Sequence, residues 1–330
     1  THTRTRLLFT SLAVAIALSG SLPTVAQVDD VVQPEQACAD PTDSFALFAE
    51  RIGKNRIGYG RTPTSATIPG PTIEMTEGEC LAVTLTNDTN KRLSMHAHGV
   101  DYTVASDGTP LNSSCVAPGR SRTYVFEAHA PITRTDGTVD PDSAGYWHYH
   151  DHCMEGDHGT AGIAAGLFGA FVVRRVGDPE PDRPPFVVVM SKRTINLKKA
   201  PKTPTFTANL GQRVEFIVIG HGDLFHTFHL HGHRWVDNRT GLPSGATDPA
   251  RIIDNRTVGP ADSFGFQVIA GEGVGPGAWM YHCHVQGHSD AGMTGIFMVK
   301  TPSGQATKAS VEALRRWRRS STHHHEHHGS

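Results

Sequence analysis

The sequence predicts an all-β chain built from two Greek-key β-sandwich domains, and three observations support this. Short segments with alternating apolar and polar residues, such as 81–86 and 122–126, are typical of strands with one buried face. The 34 Gly and 21 Pro indicate many turns, and the middle of the chain has no long helical pattern. The third observation is an internal repeat that covers both sets of predicted strands.

The repeat consists of two copies of one histidine pattern. His150 follows His96 by 54 residues in the first copy, and His282 follows His229 by 53 residues in the second. Each copy also has a Gly after its first histidine pair and a Trp before its second. We therefore predict domain 1 at residues 45–176, a proline-rich linker at 177–185 and domain 2 at 186–301.

The two ends of the chain are predicted to lie outside these domains. Arg4 and Arg6 precede an apolar stretch at 7–18 and a small-residue end at Ala26, which predicts an export signal at 1–26. A disordered leader is the alternative. Residues 27–44 are predicted to form an N-terminal segment and 302–330 a disordered, His-rich tail. We expect a secreted protein, extracellular or periplasmic, with no membrane partner.

Charge and cysteine content narrow the choice of partners. The formal net charge is −2 and the pI about 6.9, so the basic footprint of a nucleic-acid-binding protein is missing. Export makes a disulfide possible among Cys38, Cys80 and Cys115, with three pairings open. Cys153 is interpreted as a packed thiol and Cys283 as a metal ligand.

Four His-x-His pairs carry the chemistry of the sequence. Residues i and i+2 of a strand face the same side, so each pair presents two imidazoles together. Four pairs in a matched repeat favour metal binding over paired core or surface histidines. The pairs are His96/His98, His150/His152, His229/His231 and His282/His284. Five histidines outside the pairs are interpreted as surface or supporting residues: His129, His148, His158, His221 and His233.

The second copy contains an additional ligand set. Cys283 lies between two paired histidines and therefore faces the opposite side of the strand. With His226, His288 and Met293 it offers one thiolate, two imidazoles and a weak axial thioether, which is the ligand set of blue copper. The first copy has other residues at the four corresponding positions, so we expect one blue copper, in domain 2. Those residues are Leu93, Asp151, Gly156 and Ala161.

Over roughly residues 45–300, these motifs resemble the multicopper oxidases, whose domains are cupredoxin-like. Most members have three domains, whereas two domains with the blue copper in the second resemble the bacterial two-domain, or small, laccases. The resemblance implies a type 2 copper at His96 and His229. It implies a type 1 copper at His226, Cys283 and His288 with Met293 axial. It implies a type 3 copper pair at His98, His150, His152, His231, His282 and His284.

The resemblance also implies roles for two further residues. Tyr102 resembles a tyrosine that small laccases place near the cluster as a redox participant, and Asp107 resembles an acid that helps to deliver protons to bound oxygen. A surface tyrosine and a turn-forming Asp-Gly pair are the alternatives. The cluster needs four histidines from each domain, so it must lie at a domain–domain contact, within one chain or between neighbours. The resemblance to small laccases implies a homotrimer with heterologous contacts.

These features together predict a laccase. Phenolic and aromatic amine donors would lose single electrons at the type 1 copper, and a trinuclear cluster would reduce dioxygen to water. A metallo-oxidase acting on cuprous or ferrous ions is one alternative, although the seven Met are widely spread. A copper nitrite reductase would need fewer cluster histidines and usually has its blue copper in the first domain. An electron carrier would need only the blue copper.

Overall fold

A computed structural model describes residues 40–324. The strands of the first half are β1 Asp43–Gly53, β2 Arg56–Gly60, β3 Ile73–Thr76, β4 Cys80–Asn87, β5 His96–Ala97, β6 Ser121–Glu127, β7 Ile132–Thr133, β8 Val139–Asp140, β9 Gly145–His150 and β10 Phe168–Arg174. Those of the second half are β11 Phe186–Ser191, β12 Thr194–Ile195, β13 Thr205–Asn209, β14 Arg213–His221, β15 His226–Leu230, β16 Trp235–Val236, β17 Ile252–Ile253, β18 Asn255–Val258, β19 Ser263–Ile269, β20 Gly277–Cys283 and β21 Thr294–Lys300. The helices are a 3₁₀ turn at Val104–Ser106, α1 Thr160–Ala165, α2 Gln286–Asp290 and α3 Lys308–His324.

The strands form two sandwiches with matching topology. In the first, sheet β2-β1-β4-β6 packs on sheet β3-β10-β9-β5; in the second, β12-β11-β14-β19 packs on β13-β21-β20-β15-β18. The parallel pair β1/β4 corresponds to β11/β14, and the parallel pair β3/β10 corresponds to β13/β21. The prediction of an all-β chain with two β-sandwiches is therefore confirmed.

The alternation of β9 directs its side chains to two different interiors. Trp147 and Tyr149 point into the core of the first sandwich, and Tyr146 packs with Ile217 and Ile219 of the second. Both faces of β9 and β10 are buried, which explains why β10 is apolar almost throughout. The histidines of β9 lie on the face turned towards domain 2.

A buried polar network reinforces this domain contact. Glu215 is fully buried, and its carboxylate accepts two hydrogen bonds from the guanidinium of Arg174 at 3.0 and 2.9 Å. The Tyr146 hydroxyl and the Gln267 side-chain amide donate to the same carboxylate at 2.7 and 2.9 Å. Because a buried charge is strongly destabilising without partners, this network favours a single docked arrangement of the two domains.

The cysteine interpretation was wrong for Cys153, which forms a disulfide with Cys115, and the two candidate pairings that used Cys115 are therefore wrong as well. The Cα atoms of the two residues are 6.0 Å apart although 38 positions separate them, a proximity that depends on the loop after β5. Cys80 is also disulfide-bonded. Cys38 and the predicted export signal at 1–26 lie outside the described residues.

The prediction of a disordered tail was wrong for residues 308–324, which form α3. Val311, Leu314 and Trp317 recur at helical spacing and are half-buried, and the helix packs against β20. This apolar stripe gives the segment a reason to fold despite its many arginines. No helix within residues 40–324 is both long enough and apolar enough to cross a bilayer.

Candidate metal centre

Within the described residues, three groups of side chains converge closely enough to hold a metal ion. Their potential ligand atoms lie within 4.8 Å of one another in each group. The groups are His96/His98/His150, His229/His231/His282 and His226/Cys283/His288. Every member belongs to a predicted pair or to the predicted blue-copper set.

The first group forms at the end of domain 1 where β5 and β9 pair. His96 lies opposite His150 in that ladder, and their ring centroids are 5.6 Å apart. The Nε2 atoms of His98 and His150 are 3.2 Å apart. His152 completes a set of four, with its ring 5.1 Å from that of His96. We call these four histidines the domain 1 set.

Backbone carbonyls fix the tautomers of two members of this set. His96 Nδ1 lies 2.7 Å from the Asp107 carbonyl oxygen, and His150 Nδ1 lies 2.8 Å from that of Asp151. A carbonyl can only accept, so each Nδ1 carries the proton and each Nε2 keeps its lone pair. A neutral imidazole with a free Nε2 and an anchored Nδ1–H is the usual form of a metal-binding histidine.

Domain 2 repeats the hydrogen bonds of this arrangement. His229 faces His282 across β15 and β20, and their Nδ1 atoms donate to the carbonyls of Asp254 and Cys283 at 2.7 and 2.9 Å. His231 Nε2 lies 3.2 Å from His282 Nε2. With His284, whose ring lies 5.5 Å from that of His229, these residues form the domain 2 set.

The glycines that follow the first pair of each copy are required by close packing. Gly99 and Gly232 have φ values of +75° and +71°. A Cβ would lie 2.0 Å from the Trp147 ring at Gly99, and 2.8 Å from the Trp279 ring at Gly232. The His-x-His-Gly pattern thus reflects a turn that fits only glycine.

The third group has the donors of a blue-copper site. Cys283 ends β20, His288 comes from α2 and His226 begins β15. The Cys283 sulfur lies 3.8 Å from His226 Nδ1 and 3.6 Å from His288 Nδ1. Met293 is fully buried, and its carbonyl accepts the Cys283 N–H at 3.0 Å. One buried thiol facing two imidazole nitrogens fits copper better than the hard cations, which prefer oxygen.

Burial favours the neutral form of His98 and of His226. It lowers the pKa of His98 to about 4, helped by the neighbouring His96 and His152. Burial together with His288 lowers the pKa of His226 to about 4. Neutral imidazole is the form that binds metal, so His98 and His226 are both available as ligands at neutral pH.

Tyr102 and Asp107 both lie beside the domain 1 set. The half-buried Tyr102 ring is 6.0 Å from the ring of His96, edge to face. The Asp107 carboxylate lies 3.6 Å from His96 Nδ1 and accepts a hydrogen bond from Asn112 at 2.6 Å and another from Thr109. Burial acts to raise the pKa of Asp107, but these hydrogen bonds lower it overall, so the group is ionised at neutral pH.

The two histidine sets do not meet within one chain. In residues 40–324, no ring of the domain 1 set contacts a ring of the domain 2 set. The group that contains Cys283, by contrast, adjoins the domain 2 set directly, because Cys283 is bonded to His282 and His284 in the chain. The eight histidines therefore form two separate halves.

The five histidines outside the motifs have different surroundings. His233 is structural, because its Nδ1 donates to the His231 carbonyl at 3.0 Å and its Nε2 accepts the Gly271 N–H at 2.9 Å. His129 bonds the Asp101 carboxylate, and the His158 ring lies 6.3 Å from that of His152. His148 and His221 lie against the domain 1 set. His148 shares the face of His150, a period-2 signal that sequence reasoning did not use; nothing in the sequence pointed to His221.

Comparison with known proteins follows the same division of the chain. Two family models, each described as multicopper oxidase, match residues 64–177 and 178–303. A probable nitrite reductase–hydroxylamine oxidoreductase fusion protein of Kuenenia stuttgartiensis is 35% identical over 266 residues. That match covers 74% of this chain and 29% of the relative.

Two further likenesses concern a plant enzyme and a solved structure. Laccase-8 of Oryza sativa subsp. japonica is 34% identical over 116 residues, which is 34% of this chain and 17% of the relative. The chain thus spans less than a third of the length of either curated relative. A blue copper oxidase from Nitrosomonas europaea superposes with a TM-score of 0.55 at 24% identity, covering 79% of this chain and 86% of that one. This likeness concerns the fold alone, and it agrees with two cupredoxin-like sandwiches.

Proposed function

This chain belongs to the multicopper oxidase family of copper-dependent oxidoreductases, and from that premise we propose that it is a laccase-type enzyme. It oxidises phenolic and aromatic amine donors one electron at a time and reduces dioxygen to water. The observation that carries the proposal is that the chain combines the buried group His226/Cys283/His288 with two matched sets of four histidines. An electron carrier has no use for the eight histidines.

The proposed copper content is one type 1, one type 2 and two type 3 ions per functional site. Copper bound beside Cys283 would accept one electron at a time, and copper bound at the paired histidines would deliver several electrons to dioxygen. The type 1 copper would be held by Cys283, His226 and His288, with Met293 as a further, weak donor. The type 2 ligands are His96 and His229, and the type 3 ligands are His98, His150, His152, His231, His282 and His284.

The chain itself provides the electron path between the two kinds of site. Cys283 faces the core, and His282 faces the other side of the same strand. The two are joined by covalent bonds and also by the hydrogen bond from His282 Nδ1 to the Cys283 carbonyl at 2.9 Å. An electron leaving the sulfur therefore has two short routes to the histidines.

Donors are proposed to bind outside the protein core. His288 is 8% exposed, whereas Cys283, His226 and Met293 are fully buried. Phe225, which precedes His226, and Val285, three residues before His288, are both exposed. A ligand edge at an apolar surface suits outer-sphere oxidation of varied aromatic molecules. Asp107 is proposed to accept and pass on protons beside His96, and Tyr102 to act as an auxiliary redox group.

Assembly is proposed to complete the cluster. Because the two histidine sets do not meet in one chain, the domain 1 set of one subunit would face the domain 2 set of the next. Such a contact is heterologous, and a closed ring satisfies every site. We propose a homotrimer.

Mixing two inactive chains tests this assembly. His150→Ala disables the domain 1 set and His282→Ala the domain 2 set, so each variant alone should lack dioxygen reduction. In trimers formed from an equal mixture, about one contact in four pairs two intact sets, so about a quarter of wild-type activity should return. A cluster within one chain would give no recovery at any mixing ratio.

We propose that the protein is exported and acts outside the cytoplasm. The Cys115–Cys153 disulfide supports this, because disulfides persist mainly in oxidising compartments. Fractionation of producing cells, with a cytoplasmic enzyme as the marker, is the direct test. Recovery of the mature chain with the cytoplasmic marker would contradict export.

Dioxygen uptake by the copper-loaded protein tests the reaction itself. With a methoxyphenol as donor, we expect about one dioxygen consumed per four donors and no peroxide, as the four-electron reaction requires. His282→Ala, which should keep the blue copper, is the matched control and should consume no dioxygen. Peroxide as the main product, or no uptake from fully loaded protein, would contradict a laccase.

Nitrite reduction is a second candidate, favoured by the Kuenenia relative whose name includes a probable nitrite reductase. The test is anaerobic incubation of the reduced, copper-loaded protein with nitrite, measuring nitric oxide and reoxidation of the blue copper. Rapid reoxidation by nitrite but not by dioxygen would replace the laccase proposal. Rapid reoxidation by dioxygen alone would remove this candidate.

A further inference from the structure

Two histidines that the proposed function leaves unused lie behind the domain 1 set. His148 is on β9, and His221 ends β14 in the other domain. Both are buried: His148 is 1% exposed and His221 is 2% exposed. The Nε2 atom of each is buried with no hydrogen-bond partner in the described part of the chain. Such atoms are rare in native proteins because burial without a partner is destabilising, so their presence calls for a specific role.

The pair contacts the domain 1 set directly. The His148 ring stacks on the His98 ring with centroids 4.0 Å apart and planes 25° apart. The His221 ring meets the His148 ring edge to face at 5.1 Å and the His150 ring at 5.5 Å. His98 and His150 are the two histidines whose Nε2 atoms are 3.2 Å apart. The pair therefore limits the ring planes of His98 and His150.

Domain 2 fixes the orientation of His148 by a second contact. The Ser263 hydroxyl donates its only hydrogen to the Tyr146 carbonyl at 2.7 Å. Towards His148 Nδ1, 3.4 Å away, that hydroxyl can therefore only accept. His148 therefore carries its proton on Nδ1. Its ring contacts both Ser263 and His221 of domain 2.

The second sandwich lacks this arrangement. Met280 occupies the position of His148 on β20, as matching backbone bonds show: His98 N–H donates to the His148 carbonyl at 3.0 Å, and His231 N–H to the Met280 carbonyl at 2.9 Å. His231 thus has a thioether residue where His98 has a stacked imidazole. The extra histidines accompany only the set that domain 2 of the same chain covers.

We propose that His148 and His221 are positioning residues through which domain 2 sets the ring planes of His98 and His150. The domain 1 half of the copper cluster is then correctly shaped only when the two domains of one chain are docked. This inference rests on the proposed function, because it assumes copper at the domain 1 set. Partners behind metal ligands typically change metal affinity by about 10- to 100-fold when they are removed.

Four copper-loaded full-length proteins test the pair: wild type, His148→Leu, His148→Phe and Met280→Leu. The measurements are copper retained during titration with a chelator, the near-ultraviolet absorption of the coupled copper pair, and the blue absorption. We expect His148→Leu to lose cluster copper at about tenfold lower chelator concentration with its blue absorption unchanged. His148→Phe keeps a stacking ring and should stay close to wild type. Met280→Leu, at the equivalent position of domain 2, should show no change.

His221→Leu and the double variant test whether the two histidines act together. We expect His221→Leu to weaken copper retention less than His148→Leu, and the double variant to lose less than the product of the two separate effects, because the rings are in contact. Thermal unfolding of the metal-free proteins separates positioning from folding.

Two results would overturn the inference while leaving the proposed function intact. One is unchanged retention of cluster copper in His148→Leu. The other is parallel loss of blue and cluster copper together with a lowered unfolding temperature of the metal-free variant, which would reduce His148 to ordinary packing. A wild-type protein that binds copper only at Cys283 would instead overturn the proposed function, and the inference with it.

Discussion

Domain 1 and domain 2 have different residues at equivalent positions, next to the last histidine of β9 and of β20. Asp151 follows β9 and Cys283 ends β20, and the N–H of each donates to a backbone carbonyl at 3.0 Å, that of Leu167 or that of Met293. The Asp151 carboxylate then accepts the Ser94 and Met154 N–H groups at 2.7 and 2.9 Å. The Cys283 sulfur faces two imidazoles instead.

This difference teaches that side chains, not the backbone, decide which domain carries the donor set proposed for a blue copper. In domain 1 the pocket is closed by hydrogen bonds to a carboxylate whose pKa burial raises to about 6. Cys153, two residues further on, is held in a disulfide with Cys115. In domain 2 the same backbone leaves a soft sulfur and two nitrogen lone pairs directed at one point, which is what copper requires.

Removal of the thiol should give the largest effect. Cys283→Ser replaces the soft donor with a hard hydroxyl, so blue absorption and donor oxidation should both fall to background. Visible absorption and dioxygen uptake of the copper-loaded protein measure this. Asp151→Asn is the matched change in domain 1 and should leave the blue absorption intact; its loss there would show that the domains are not independent in this respect.

The domain 1 disulfide should give the next largest effect. The Cys115→Ser/Cys153→Ser double variant removes a link across 38 positions and should lower the free energy of unfolding by about 4 kcal/mol. Chemical denaturation of the metal-free protein, followed by fluorescence, measures this. Val285→Ala, at the domain 2 position that corresponds to Cys153, should cost clearly less, and equal losses would contradict a special role for the disulfide.

The axial position should give a smaller and more selective effect. Met293→Leu removes the thioether that we propose as the weak ligand of the type 1 copper, so the reduction potential of that copper should rise while the blue colour persists. A redox titration of the blue absorption measures the shift. Leu167, and not Ala161 as the sequence spacing indicated, is the domain 1 counterpart of Met293, because its carbonyl accepts the Asp151 N–H as the Met293 carbonyl accepts the Cys283 N–H. Leu167→Met is therefore the control and should leave the potential unchanged.

The smallest expected effect concerns His129 in domain 1. Burial acts to lower its pKa, but hydrogen bonds to the Pro141 carbonyl and to Asp101 raise it overall. A raised pKa means that the stabilisation is fully present below the unfolded value, near 6.5, and is lost as pH rises through the folded value. His129→Asn should therefore cost more at pH 5.5 than at pH 8.5, and the difference should be less than about 1 kcal/mol because the side chain is partly exposed.

Thermal unfolding of metal-free protein at the two pH values measures the His129 effect. His158→Asn is a control for changing a histidine elsewhere in domain 1, and we expect no pH-dependent difference from it. A larger loss at pH 8.5 than at pH 5.5 in His129→Asn would contradict the assigned interaction.

The sequence was informative where chemistry follows a strict period. The alternation of β-strands predicted the sandwiches, and period-2 histidines predicted side chains that the structure brings together in groups. Long-range loop contacts were not predictable in this way. The Cys115–Cys153 link depends on where a loop returns, and His221 reaches the domain 1 set only because two sandwiches dock. The apolar stripe of α3 is present in the sequence at helical spacing, but the many arginines around it favoured the prediction of a disordered tail.

The division of the histidines between two separate sets has a consequence for the newly made subunit. A single chain with copper at Cys283 could take up one electron but would hold only half of an oxygen site. With the assembly proposed above, such a chain could not complete the four-electron reduction of dioxygen. Reduction of dioxygen to water would begin only after the subunits had assembled, so assembly itself would control when the enzyme becomes active.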